Sequence, residues 1–129
     1  MAGIIVAATL CIAVLCFLVQ FGVVRSHGNI PQIYHVGDAK GWDLYPQVMD
    51  WPRNKHFKAG DTLVFKYSNP VYGVAKVDAL EFKRCQKNRG TEEYNSGNDR
   101  FTLQKGFNYF ISIFPDYCGY GMRIQVYAQ

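Results

Sequence analysis

Hydrophobic residues along this chain fall into short alternating runs broken by glycine, proline and asparagine, a pattern that predicts β-strands and tight turns rather than long helices. The clearest pair lies late in the chain. Two apolar runs, Phe107 to Phe114 and Met122 to Tyr127, flank Pro115, Asp116, Gly119 and Gly121, so two strands joined by a tight, turn-rich loop are expected. In the second run Met122, Ile124 and Val126 share one face while Arg123 and Gln125 take the other, which places Met122 on the buried side. Upstream, Ala59-Gly60-Asp61 marks a turn, and Leu63, Phe65 and Tyr67 then alternate as a half-buried strand does. A first strand is expected from Ile30 to Gly37, at a sheet edge because Pro31 cannot donate to a ladder.

Between these runs the pattern is less regular. Trp42 and Trp51 bracket Asp43 to Asp50, a stretch with little period. Ser68-Asn69-Pro70 reads as a turn before Val71 to Val77, a strand interrupted by Gly73. Asp78 is an N-cap candidate for one short helix that delivers Cys85, and Gln86 to Asn98 is a polar loop around Tyr94. Arg100 to Leu103 and the Phe107 strand complete the set. The expectation is an all-β, Greek-key β-sandwich or flattened barrel of seven or eight strands with one or two short helical turns.

The front end changes the domain count. MAGIIVAATLCIAVLCFLVQFGVV carries no charge before Arg25 and is followed by the small residues Ser26 and Gly28, so residues 1–28 read as a secretory signal peptide and 29–129 as one domain. A retained anchor is the alternative, because Ile4 to Val24 is long enough to span a bilayer. With the leader removed no membrane anchor is expected, since no later run approaches that length. Cys11 and Cys16 leave with the leader, and Cys85 and Cys118 remain as one pair suited to a disulfide in an oxidising compartment. Two free thiols acting as ligands or nucleophiles are the competing reading. No Asn-x-Ser/Thr acceptor occurs.

The formal charge of +4 becomes +3 without Arg25, leaving 13 basic and 10 acidic residues. That balance suits loose association with acidic polymers and argues against nucleic acid binding. Lys83, Arg84, Lys87 and Arg89 form the densest basic run and are expected to be a solvated helix or loop face beside the disulfide.

Gly41-Trp42, Trp51-Pro52 and the run from Phe57 to Phe65 resemble framework stretches of the phytocyanin family, in particular its plantacyanin or basic blue protein branch. The likeness runs from about Ile33 to Tyr127. The resemblance implies a cupredoxin-like fold and, in typical members, a mononuclear copper that transfers single electrons. The family hairpin reads Cys, four residues, His, Cys, three residues, Met. This chain has Ser112, Tyr117, Cys118 and Met122 at those positions, and Tyr72-Gly73-Val74 where the family carries His-Asn-Val. Blue copper requires a thiolate and two neutral imidazoles. With Tyr72, Ser112 and Tyr117 in their places, no metal site and no cofactor are expected; the axial Met122 alone is retained. Copper-binding electron transfer, as in typical members, is the alternative.

None of the three histidines, His27, His35 and His56, falls at a ligand position. Glu92 and Glu93 are neighbours in an extended stretch and point apart, and Ser112 has no assigned histidine base, so no enzyme activity is expected. Tyr72 and Tyr117 should converge near Met122 and Ser112, with Phe114 and Tyr120 close by. They serve either packing or a tyrosine-rich surface that stacks on sugars or is cross-linked oxidatively. Full burial of both tyrosines would eliminate the surface role. The resulting expectation is a monomeric, secreted protein of the apoplast or cell wall with a structural, interaction or signalling role. Its partner would be a cell-wall polysaccharide or an extracellular protein, with no nucleic acid involved.

Overall fold

Strand β2 (Thr62–Lys66) is the spine of one sheet. In the computed structural model, which describes residues 30–129, it pairs in parallel with β1 (Ile33–His35) and antiparallel with β4 (Asn98–Thr102), setting Ile33 opposite Thr62 and Leu63 opposite Phe101. The second sheet is centred on β5 (Gly106–Ile111), with β3 (Ala75–Val77) on one side and β6 (Arg123–Ala128) on the other, both antiparallel. Residues 1–28, with Cys11, Cys16 and His27, lie outside the described residues, as does the boundary expected at 28/29.

The described residues hold six strands, fewer than the seven or eight expected, and two isolated bridges, Phe57 to Ala128 and Val74 to Tyr94, stand where further short strands were anticipated. The segment from Val71 supplies only the last part of its predicted strand. Residues 70–72 turn, Val74 makes the lone bridge, and β3 starts at Ala75, because Gly73 takes φ +44 and bends the chain out of the ladder. The first strand is shorter than Ile30 to Gly37, but Val36 N and Trp42 N still donate to the carbonyls of Val64 and Lys66 at 2.9 and 2.8 Å, extending the edge along β2. Gly41 permits that approach, since a Cβ there would lie 2.5 Å from the Lys66 carbonyl oxygen.

Between the sheets, Phe65 contacts Trp42, Phe101 and Phe110 at ring separations of 5.0, 5.5 and 5.0 Å. Leu63, Phe65, Phe110, Ile124 and Val126 are buried around them, as the alternation of β2 and β6 requires. Val64 is buried too, so β2 is covered on both faces. Each such side chain removed from water contributes about 1.5–3 kcal/mol.

The predicted helix is present as α1 (Ala79–Arg84). Asp78 accepts from the Glu81 N–H and the Glu81 carboxylate accepts from the Asp78 N–H, a reciprocal cap that closes its first turn. The loop between β5 and β6, expected as a tight turn, contains a one-turn helix, α2 (Pro115–Gly119), which Pro115 starts from a position where no N–H is needed.

Candidate functional site

The four positions singled out in the sequence come together at one end of the β3-β5-β6 sheet. Ser112 follows β5, and its N–H donates to the Met122 carbonyl at 2.9 Å; the Met122 N–H donates to the Tyr117 carbonyl at 2.9 Å. The Ser112 hydroxyl donates to the Tyr72 carbonyl, and the Ile113 N–H reaches the same oxygen at 3.2 Å. The turn before Gly73 is thereby tied to the end of β5. The rings of Tyr72 and Tyr117 meet edge to face at 5.4 Å and 85°, and Phe114 packs on Tyr117 at 4.9 Å. Both tyrosines pack against the core cluster that contains the fully buried Met122.

Neither Tyr72 nor Tyr117 is fully buried, so burial does not eliminate a surface role, while both rings also pack on the core. Phe114 and Tyr120 beside them are 41% and 65% exposed, giving this end an aromatic rim. Burial, reinforced by the Asp43 carboxylate 3.4 Å from its hydroxyl, raises the Tyr72 phenol above its ordinary pKa. The donors gathered here are therefore a protonated phenol at Tyr72, the phenol of Tyr117, a hydroxyl already committed to a carbonyl, and a thioether. The Ser112 proton points at a backbone oxygen rather than at a base, so the arrangement does not activate a nucleophile.

The disulfide is formed between Cys85 and Cys118. Helix α1 carries Cys85 at its C-cap, in the left-handed region at φ 52, and α2 carries Cys118 against Ala75 and Ile111. Arg123, outward on β6, braces the bond: its Nη1 donates to the Phe82 carbonyl at 2.8 Å and approaches Cys85 Sγ at 3.4 Å.

The remaining candidates lie apart from this cluster. His35 and His56 are exposed; His35 lines a cleft of about 360 Å³ with Asp38, Lys40 and Lys66, and the His56 carbonyl accepts from the Tyr34 hydroxyl. Glu92 and Glu93 do point apart, one accepting from Tyr94 and the other from Lys87. Lys87 corrects the expectation of a wholly solvated basic face. Its side chain is only 18% exposed, drawn in by Glu93 and the Ile113 carbonyl, and burial lowers its pKa. Among the described residues no three His, Cys, Asp or Glu side chains gather into a metal-binding group.

Sequence reasoning missed two supports of the cluster. Trp42 Nε1 donates to the Gly73 carbonyl at 2.6 Å, and Asp43 sits under the Tyr72 hydroxyl. The pair Gly41-Trp42 carried a framework signal; nothing in the sequence marked Asp43.

The sequence profile described as "Plastocyanin-like domain" matches residues 42–122, from the tryptophan under Gly73 to the buried methionine. A basic blue protein of Arabidopsis thaliana is 44% identical over 95 residues, covering 74% of this chain and 72% of that protein. A chemocyanin of Lilium longiflorum is 44% identical over 96 residues, covering 74% of this chain and 75% of its own. Among solved structures, cucumber basic protein, a blue copper protein, superposes with a TM-score of 0.69 at 41% identity, over 75% of this chain and 99% of its own. With the same two-sheet fold, the disulfide and this level of identity over most of its length, the chain belongs to the phytocyanin family of cupredoxin-fold proteins.

Proposed function

We propose that this chain is a secreted phytocyanin that works without a blue copper centre, as an interaction, structural or signalling protein of the plant apoplast or cell wall, and not as an enzyme. The observation that supports this most is the commitment of the Ser112 hydroxyl to the Tyr72 carbonyl. Where the family pattern calls for a thiolate flanked by two imidazoles, the chain has a protonated hydroxyl and two phenols, and these do not fit Cu(II) near neutral pH. The thioether of Met122 is a weak, neutral donor and does not hold the ion by itself. The half-buried rings of Tyr72 and Tyr117 supply cohesion through edge-to-face packing, about 0.5–1.5 kcal/mol beyond their burial. The aromatic rim they form with Phe114 and Tyr120 is the surface through which an extracellular protein or cell-wall polysaccharide would be met.

The second reading is one-electron transfer through copper, favoured by relatives named basic blue protein and by the cucumber blue copper protein. The deciding experiment adds Cu(II) to the purified protein and records the absorption spectrum, the metal stoichiometry and reversible reduction. Tightly bound equimolar copper that cycles between oxidation states would overturn the proposal. The triple change Tyr72→His, Ser112→Cys, Tyr117→His, made on a chain that already carries Met122 and the disulfide, is expected to become blue. A folded but colourless triple variant would show that the cavity itself has been reshaped.

A further inference from the structure

We propose that the outward face of the β3-β5-β6 sheet binds a linear polysaccharide rich in uronic acid. This face shares no residue with the Tyr72 cluster, and the proposal holds whether or not that cluster binds a metal. On β5 and β6 the register sets Phe107 opposite Tyr127, Tyr109 opposite Gln125 and Ile111 opposite Arg123. Alternate residues Ile124, Val126 and Ala128 are buried between the sheets, so this set takes the opposite face; Ile111 is covered there by Cys118, and Phe107, Tyr109, Gln125 and Tyr127 form its open part.

The rings form a continuous strip. Phe107 lies 5.0 Å from Tyr127 and 6.1 Å from Tyr109, nearly parallel to the latter at 25°, and Tyr109 lies 5.3 Å from Phe82. Phe107 and Tyr127 are 57% and 52% exposed, an arrangement that packing within the domain does not use up. From Arg123 to Tyr127 the strip runs about 14 Å along the strands, the reach of a short oligosaccharide rather than of a single sugar. At its Arg123 end a cleft of about 320 Å³ opens between Ala79, Phe82, Lys83, Tyr109, Arg123 and Gln125.

Charge selects the occupant. The cleft contains a guanidinium, an ammonium and an amide but no carboxylate, and among the described residues neither Lys83 nor Arg123 forms an ion pair; Arg123 is held over the Phe82 ring by the Phe82 and Lys83 carbonyls, which leaves Lys83 as the exposed cation. Two binding modes then coincide: apolar C–H faces of pyranose rings cover the exposed aromatic strip, while a sugar carboxylate meets the Lys83 ammonium with the Arg123 charge beside it. A second copy of this chain is a poorer occupant, because the cleft and the aromatic strip carry no carboxylate, so a two-fold contact through this face brings no opposite charge to Lys83 or Arg123.

The test uses protein expressed from the full chain and titrates it with oligogalacturonate, a neutral galacto-oligosaccharide and polyglutamate, followed by calorimetry and by amide shifts along β5 and β6. Oligogalacturonate is expected to bind and to shift those amides, with both other probes weaker. The double change Phe107→Ser, Tyr127→Ser, at two exposed positions, should weaken binding roughly tenfold or more with the melting temperature retained. Lys83→Gln should weaken it and flatten its salt dependence. Equal binding of polyglutamate, affinity untouched by Phe107→Ser, Tyr127→Ser, or dimerisation through this face without oligosaccharide shifts would each overturn the proposal.

Discussion

Replacing Glu81 by glutamine removes one oxygen and no volume, and the structure makes it expensive. Glu81 is 7% exposed and its carboxylate accepts three hydrogen bonds: Oε1 from the Asp78 N–H at 3.0 Å, Oε2 from the Asn88 N–H and the Thr91 hydroxyl, both at 2.8 Å. In Glu81→Gln one oxygen becomes an amino group. Whichever way the amide turns, it faces a backbone donor, so one buried N–H is orphaned at about 1–3 kcal/mol, and the surviving bonds lose their charge assistance, about 1 kcal/mol more. The expected loss is about 2–4 kcal/mol of unfolding free energy at pH 7, read from urea midpoints. The loss has a pH signature. Burial alone would raise the Glu81 carboxyl, but the bonds from Asn88, Asp78 and Thr91 outweigh it and hold the pKa below the ordinary 4.5. A group depressed in the folded state contributes fully above its ordinary value and loses that contribution as pH falls through the folded one. The gap between wild type and Glu81→Gln should therefore be widest near neutrality and close in acid. A variant within about 0.5 kcal/mol of wild type at pH 7, or a gap that does not narrow in acid, refutes the reasoning.

Three further outcomes can be measured alongside. The double change Cys85→Ala, Cys118→Ala opens a bridge spanning a separation of 33 residues and should lower stability by about 4 kcal/mol in urea; a loss below about 1 kcal/mol contradicts the loop-closure account. Burial, then the hydrogen bond to Asp99, pushes the Tyr67 phenol far above its ordinary 10.0, so Tyr67→Phe should cost about 1.5–3 kcal/mol at neutral pH. Because that raised value makes the proton part of the native state, wild-type stability falls as pH rises above 10.0, and the advantage over Tyr67→Phe should shrink there in alkaline unfolding curves. Gly73→Ala, at φ +44 with its Cβ against the Ile113 side chain and 2.9 Å from the Tyr94 carbonyl, should lower the unfolding free energy by about 1–3 kcal/mol and perturb the near-ultraviolet signal of Tyr72 and Tyr117.

What could be read from the sequence followed strength of period. Met122, Ile124 and Val126 are all buried as their spacing required, and Asp78 caps α1 through Glu81 as the three-residue spacing allows. The Cys85–Cys118 pairing followed from these being the two cysteines outside residues 1–28. The segments that escaped are those decided by partners distant in sequence. Helix α2 is five residues long, too short to show a period, and Val71 to Gly73 read as strand although the loop is fixed by Ser112, some forty positions on. Lys87 follows the same rule: nothing nearby in sequence signals the Ile113 carbonyl that draws it inward. At the candidate site the residue types were legible and their convergence followed from the fold, whereas the supports from Trp42 and Asp43 depended on a turn that only the folded chain brings over them.

The strand orders β1-β2-β4 and β3-β5-β6 have a consequence for how the molecule is made. Each layer recruits strands that are not neighbours along the chain, and the centre of the second, β5, emerges from the ribosome only after all but one of the other strands. A nascent chain halted before β6 lacks one side of that layer and the core side chains Ile124, Val126 and Ala128, so it cannot complete the cluster that holds Phe65 and Phe110. Truncation libraries should therefore yield soluble protein only from lengths that include β6.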